Sequence, residues 1–252
     1  MKRQKIIYYQ DEQNDEFSTA KITPRKIDGG YRYLSAAWYK KITRFFWYRV
    51  IATPLAFLYT KLFLHHKIIG KETLRKYVKS GCFCYGNHTQ VVGDALIPSM
   101  LSFPCRAYVI VHPNNVSMPL LGRVTPSLGA LPLPDDLAAY RNFIRAIDTH
   151  IGKHPIFIYP EAHIWPYYTK IRPFGEDSFY YPIRCGVPAF AFTNTYQKRR
   201  FSKKPKIVTY IDGPFYPDKT LPPHAQKKEL RDRVYAAMCE RARLSDVEYI
   251  KY

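Results

Sequence analysis

The stretch Gly86-Asn87-His88-Thr89-Gln90-Val91-Val92-Gly93-Asp94 follows directly on the apolar run Cys82-Phe83-Cys84-Tyr85 and leaves five residues between its histidine and its aspartate. A histidine held by a carboxylate is a general base. The aspartate fixes the tautomer and stabilises the imidazolium, while the free ring nitrogen takes a proton from a hydroxyl. The placement suits that chemistry, because active sites of open α/β sheets lie outside the carboxyl ends of strands. The spacing works against it. On a regular helix each residue turns ~100°, so a sixth step carries Asp94 off the His88 face. Gly93 is the expected bulge or helix start that restores contact; otherwise another carboxylate serves.

Other segments offer further groups. The run Ile156–Tyr159 reads as a buried strand ending in Pro160 and Glu161, and Val187-Pro188 opens another after Arg184. Leu121-Gly122-Arg123 precedes Leu128-Gly129-Ala130. His88, Asp94, Glu161 and His163 are all metal-ligand types, yet no HExxH or close Cys/His spacing joins them, so no metal is expected. Cys84 stands near His88 as a rival nucleophile. Cys82 and Cys84 alternate with Phe83, which reads better as thiols packed on one strand face. His65-His66 reads as a helix end near headgroups.

These groups need a scaffold, and composition allows one. With 252 residues and 46% apolar content the chain can bury a core. Lys and Arg exceed Asp and Glu, 39 to 20, so the net charge is +19 and an anionic partner is expected. Tyr, Phe and Trp are abundant (22, 15 and 3), a mixture shared by interfacial membrane proteins and single-strand nucleic-acid binders. Basic residues spread along the whole chain, and no recognition helix or RNP-like strand is visible, so no nucleic-acid partner is expected. The five cysteines include no CxxC. Residues 8–17 are polar and acidic where a signal peptide would be apolar; free thiols in a reducing compartment are expected.

Alternating short apolar runs and helical patterns predict an α/β domain. Strands are expected at Cys82–Gly86, Arg106–Val111, Ile156–Tyr159, Val187–Thr193 and Lys206–Asp212. Helices are expected at Leu74–Gly81, Asp94–Leu101, Asp136–Ile151 and Gln226–Leu244. The stripe Leu137, Tyr140, Ile144, Ile147 and Ile151 marks the third of these. Phe45–Leu64 has the ~20-residue length of a membrane span, but Arg49, Pro54 and Lys61 interrupt it. Helices lying in the interface, with Lys40, Lys41, Arg44 and Arg49 near headgroups, are favoured. A tilted span with snorkelling Arg49 and Lys61, or a core helix with a charged face, are the alternatives. The run Lys198–Lys204 reads as a solvated turn, with contact to anionic headgroups the alternative.

Taken in order, NHTQVVGD (87–94), GRVTPSLGALPLP (122–134), YPEA (159–162) and VPAFAF (187–192) resemble the four blocks of the glycerolipid acyltransferases of the 1-acylglycerol-3-phosphate type. The resemblance covers roughly residues 80 to 215. It implies an α/β fold with a mixed, mostly parallel sheet flanked by helices and an N-terminal membrane-interfacial helical section. With the composition shifts along the chain, the expected division is an irregular segment (1–30), a membrane-associated helical section (31–67) and an acyltransferase domain (68–252). It makes His88 the base and Asp94 its orienting partner, with Asn87, Arg123, Gly129, Pro160, Glu161, Lys170 and Arg172 at the substrate. The family places its histidine and aspartate one residue closer, and the arginines of its second and third blocks are missing here. Arg123, Lys170, Arg172 or Arg184 are the candidate replacements as a phosphate clamp. The implied acyl donor is acyl-CoA or acyl-carrier protein and the implied acceptor a lysophospholipid, with no cofactor. The implied location is the cytoplasmic face of a membrane, peripheral or monotopic.

Overall fold

The structure, a computed structural model, describes residues 4–17, 22–35 and 37–252. Strand β1 (Lys5–Ile6) lies in the segment expected to be irregular, and pairs in parallel with β9 (Ile250–Lys251) at the other end of the chain. Helix α1 (Trp38–Phe45) passes through a π-helical stretch, Phe46–Ala52, into α2 (Thr53–Leu62). Pro54 has no N–H to give, and the Thr53 hydroxyl bonds Tyr48 O at 2.7 Å where the ladder has widened. Among the described residues no helix is long and apolar enough to cross a membrane.

The main sheet has seven strands: β2 (Lys67–Ile69), β3 (Phe83–Gly86), β4 (Tyr108–Val111), β5 (Ala130–Pro132), β6 (Ile156–Ile158), β7 (Ala189–Arg199) and β8 (Ser202–Phe215). Their order is β2-β8-β7-β3-β6-β4-β5. Pairing is parallel from β7 through β3, β6 and β4 to β5. It turns antiparallel only between β7 and β8, with β2 parallel to β8. The mixed, mostly parallel sheet expected from the sequence is therefore present. The short strands β2 and β5 are absent from the sequence expectation: each has only three residues, and β5 sits inside the block at 122–134.

Strand alternation divides the core. Phe83 and Tyr85 point to one side, against Phe143, Ala146, Ile147 and Ile151 of α6 (Leu137–Ile151) and Leu230, Val234, Met238 and Ala242 of α8 (Pro223–Ala242). Cys82 and Cys84 point to the other, against Leu74 of α3 (Lys71–Arg75) and Ile97 and Leu101 of α4 (Gly93–Ser102). Both thiols are buried packing groups. Asp136 caps α6 by accepting from Ala139 N at 2.8 Å. The stripe expected on that helix is right only in its C-terminal half. Leu137 is 77% exposed and Tyr140 38%, because the buried face runs through Ala139, Phe143, Ala146 and Ile147 instead.

Candidate active site

Strands β7, β3 and β6 are neighbours and parallel, so their carboxyl ends open on the same edge. β3 delivers Asn87 and His88, β6 delivers Tyr159, Pro160 and Glu161, and β7 delivers Asn194.

His88 Nδ1 meets Asp94 Oδ2 at 2.8 Å. The spacing problem disappears because residues 87–92 are not helical and α4 begins only at Gly93. The chain doubles back there: Asp94 N donates to Gln90 O (3.1 Å), and Gln90 N donates to Asp94 Oδ2 (2.8 Å). Gly93 makes the fold-back possible, since a Cβ there would sit 2.9 Å from the Gln90 Cβ. With the carboxylate accepting, Nδ1 carries the proton and Nε2 keeps its lone pair. Asp94 is 2% exposed. Burial pushes its carboxyl pKa up, and the neighbouring imidazole pulls against that rise.

Tyr159 is a site residue that the sequence reading left out. Its ring stacks on His88 (centroids 4.5 Å apart, 19° between planes) and its hydroxyl donates to Asp94 O at 2.6 Å. That carbonyl is free because the residue four positions on is Pro98, which has no N–H. The proline inside α4 was the available signal.

A buried polar chain runs on from Asp94 into the sheet. Asn194 Nδ2 reaches Asp94 Oδ1 (3.4 Å), and Asn194 Oδ1 accepts from the Thr209 hydroxyl (2.6 Å). The Thr209 oxygen lies 2.7 Å from His66 Nε2, which must be the donor because the one hydroxyl proton is already spent. His66 was expected at headgroups; it is 4% exposed instead, because the chain turns into β2 there and carries the ring under the sheet. Asn194→Ala removes a hydrogen bond to a charged group, and a ~10–100-fold fall in kcat with little change in KM is expected. Without that donor the Asp94 carboxylate is held less firmly, so the acid limb of the rate profile moves to higher pH. A purely structural role for Asn194 would leave that limb in place.

His66 has its own pH signature. Burial lowers its pKa from 6.5 to about 4. As pH falls below 6.5 the unfolded chain takes up a proton that the folded chain refuses, so stability drops between pH 6.5 and 4. A shift of this size is worth on the order of 3 kcal/mol. Denaturant titrations of wild type and His66→Gln across that window should show the steeper loss in the wild type. Parallel curves would refute the assignment.

Glu161 is 3% exposed and faces inward. Its carboxylate accepts from His88 N (3.0 Å) and Arg172 N (3.1 Å), and the Arg172 guanidinium lies 3.5 Å away. Burial raises the Glu161 pKa and Arg172 opposes the rise. Arg172 is itself fully buried. It donates to Glu161 O (3.1 Å), His163 O and Glu12 O, and lies 4.9 Å over the Trp165 ring. Its expected job as a phosphate clamp therefore meets a guanidinium already committed to protein carbonyls, under the N-terminal segment. Ala162 holds φ +62°, a left-handed conformation that favours glycine.

The remaining expected residues divide. Asn87 is buried and makes a reciprocal pair with the Asn194 backbone (Nδ2 to O 3.0 Å; N to Oδ1 2.8 Å), so it straps β3 to β7. Pro160 is half-buried beside Glu161. Lys170 is exposed on the loop whose Trp165 N donates to His88 O at 3.0 Å. Arg123 is exposed on α5 (Leu121–Val124) and is not tied to His88. Gly129, at φ +105°, turns the chain into β5 where a Cβ would lie 2.3 Å from Ala107 O. Arg184 pairs with Asp148 on α6.

The fold has a counterpart among solved structures. The crystal structure of the 1-acyl-sn-glycerophosphate (LPA) acyltransferase PlsC from Thermotoga maritima superposes with a TM-score of 0.54 at 18% identity, covering 83% of this chain and 81% of that one. The likeness establishes the fold. No family model matches the chain, and no curated protein matches it.

Proposed function

We propose that the protein is an acyltransferase that moves a fatty acyl group from a thioester to a hydroxyl of a lysophospholipid such as 1-acylglycerol-3-phosphate. The carrying observation is the His88–Asp94 pair at 2.8 Å, set at the carboxyl edge of a sheet whose fold is shared with PlsC. In this reading His88 Nε2 takes the acceptor hydroxyl proton as the oxygen attacks the thioester carbonyl carbon. Asp94 stabilises the imidazolium that forms. The tetrahedral intermediate collapses, the C–S bond breaks, and the imidazolium returns its proton to the departing thiolate. No metal and no cofactor takes part; the donor is acyl-CoA or acyl-carrier protein. Lys170 and Arg123 are the exposed cations offered to an acceptor phosphate.

The reading places the protein on the cytoplasmic face of an anionic membrane as a peripheral or monotopic protein, with no nucleic-acid partner. Its support is the α1–α2 section, where Phe45, Phe46, Leu55, Phe57, Leu58, Leu62 and Phe63 are all exposed among Lys40, Lys41 and Arg44. Liposome flotation should therefore persist at high salt, since apolar insertion is not screened. Release at high salt would reduce the section to an electrostatic contact. The deciding assay measures thiol release from acyl-CoA or acyl-carrier protein with a panel of lysolipids, His88→Ala run alongside. Acceptor-dependent release by the wild type alone supports the proposal; equal release by both proteins refutes it.

A further inference from the structure

The tip of the β7–β8 hairpin carries a second feature. His65, Lys198, Arg199, Arg200, Phe201 and Lys206 line a cavity of about 350 Å³. No carboxylate lines it, and none forms an ion pair with Lys198, Arg199, Arg200 or Lys206 among the described residues. Asp246, whose carboxylate accepts from the Lys198 backbone nitrogen at 2.8 Å, stands outside it. Like charges gathered this way repel, and an anion among them relieves the repulsion.

One of the cations, Arg199, is held in place. Arg199 donates to His65 Nε2 at 2.6 Å, which fixes the ring as an acceptor and the guanidinium against the cavity wall. His65 holds φ +47°, a strained conformation for a non-glycine residue. The sequence reading of this stretch as a solvated turn takes no account of either.

Topology relates the cavity to His88. β7 runs parallel to β3 in the register Gly86↔Phe192 and continues beyond the end of β3. From Asn194, which touches Asp94, to Arg199 the strand advances ~16 Å. The cations thus lie along β7 beyond Asn194, so a ligand that reached both them and His88 would need a long arm between its phosphates and its reacting atom.

We propose that this cavity binds the phosphates of a nucleotide-borne acyl-thioester carrier, coenzyme A in chemical class, with the pantetheine arm reaching back toward His88. The inference rests on the acyltransferase reading for its ligand, but its test does not need turnover. Free coenzyme A is titrated calorimetrically into wild type, His88→Ala and the double variant Arg199→Ala/Lys206→Ala. Thermal melts confirm that each is folded; Arg199 and Lys206 are half-buried, at the outer end of the hairpin.

Wild type and His88→Ala should bind alike. The double variant should bind at least about tenfold more weakly, because charge-assisted hydrogen bonds are lost. Dephospho-coenzyme A should bind wild type more weakly than coenzyme A. Unchanged coenzyme A affinity in the double variant overturns the proposal. So does inorganic phosphate matching coenzyme A in affinity, or a variant that loses only its binding to anionic phosphatidylglycerol vesicles; the latter assigns the cations to headgroups. No coenzyme A binding to any form, with thiol release from acyl-carrier protein intact, sinks this proposal and leaves the acyltransferase reading standing. Coenzyme A binding that depends on Arg199 and Lys206, without transfer to any acceptor, does the reverse.

Discussion

His88→Ala should lower the transfer rate by the full contribution of a general base, ~10²–10⁴-fold, while the fold survives. The imidazole is at the surface end of the network (19% exposed against 2% for Asp94), so its removal opens no core cavity. Asp94 keeps the Gln90 N–H and the Asn194 amide. Retained full activity in a single-turnover assay, with an unchanged melting temperature, would remove His88 from the chemistry. Asp94→Asn should be nearly as damaging, for a geometric reason. The carboxylate accepts on both oxygens, from His88 Nδ1 and Gln90 N on one and from Asn194 Nδ2 on the other. An amide must turn its NH₂ toward one of these donors, whichever way it is flipped. Either orientation leaves a donor facing a donor. The orientation that faces His88 also inverts the tautomer and protonates Nε2, the nitrogen that must accept. Donor binding should be untouched, so the loss belongs in kcat.

Arg172→Met should be the most destabilising substitution in the site, by about 3–5 kcal/mol, because it strands the Glu161 carboxylate in the interior. The guanidinium is the cation within reach of a carboxylate that burial already pushes toward protonation. It also closes three backbone carbonyls, those of Glu161, His163 and Glu12. Denaturant unfolding gives the number. The double variant Arg172→Met/Glu161→Gln should recover part of the loss, since the stranded charge is then gone. No recovery would mean that the carbonyl contacts, and not the ion pair, carry the stability. Activity should fall with Arg172→Met as well, because Glu161 holds the His88 backbone nitrogen at 3.0 Å.

These two effects come from different parts of one loop-and-strand arrangement. His88 keeps an open ring nitrogen at the surface end of the network. Arg172 is fully interior and works through Glu161. The N-terminal segment belongs to the second set: Trp165 is stacked by Tyr252 and edged by Phe17, and its indole N–H donates to Asp15 O at 2.8 Å. A segment that reads as irregular thereby covers the loop that carries Glu161 to Arg172.

The sequence by itself determined what depends on local pattern. Short β-branched and aromatic runs alternating with amphipathic stretches specify an α/β layer fold, and Cys82-Phe83-Cys84-Tyr85 is the continuous apolar run of a strand buried on both faces. The four blocks name His88, Asp94 and Glu161 as candidates for one site, and the folded chain brings the three together. Tertiary structure decided what depends on distant partners. Whether Asp94 could reach His88 turned on where α4 begins, and that was set by the fold-back at Gly93 rather than by helical periodicity. Asn194, Thr209 and His66 are ordinary polar residues far apart in sequence; only the adjacency of β2, β8 and β7 lines them up behind Asp94. The role of Arg172 followed the same rule. An arginine reads as a free cation in a sequence, and burial against carbonyls that only the folded chain assembles turns it into a structural pin.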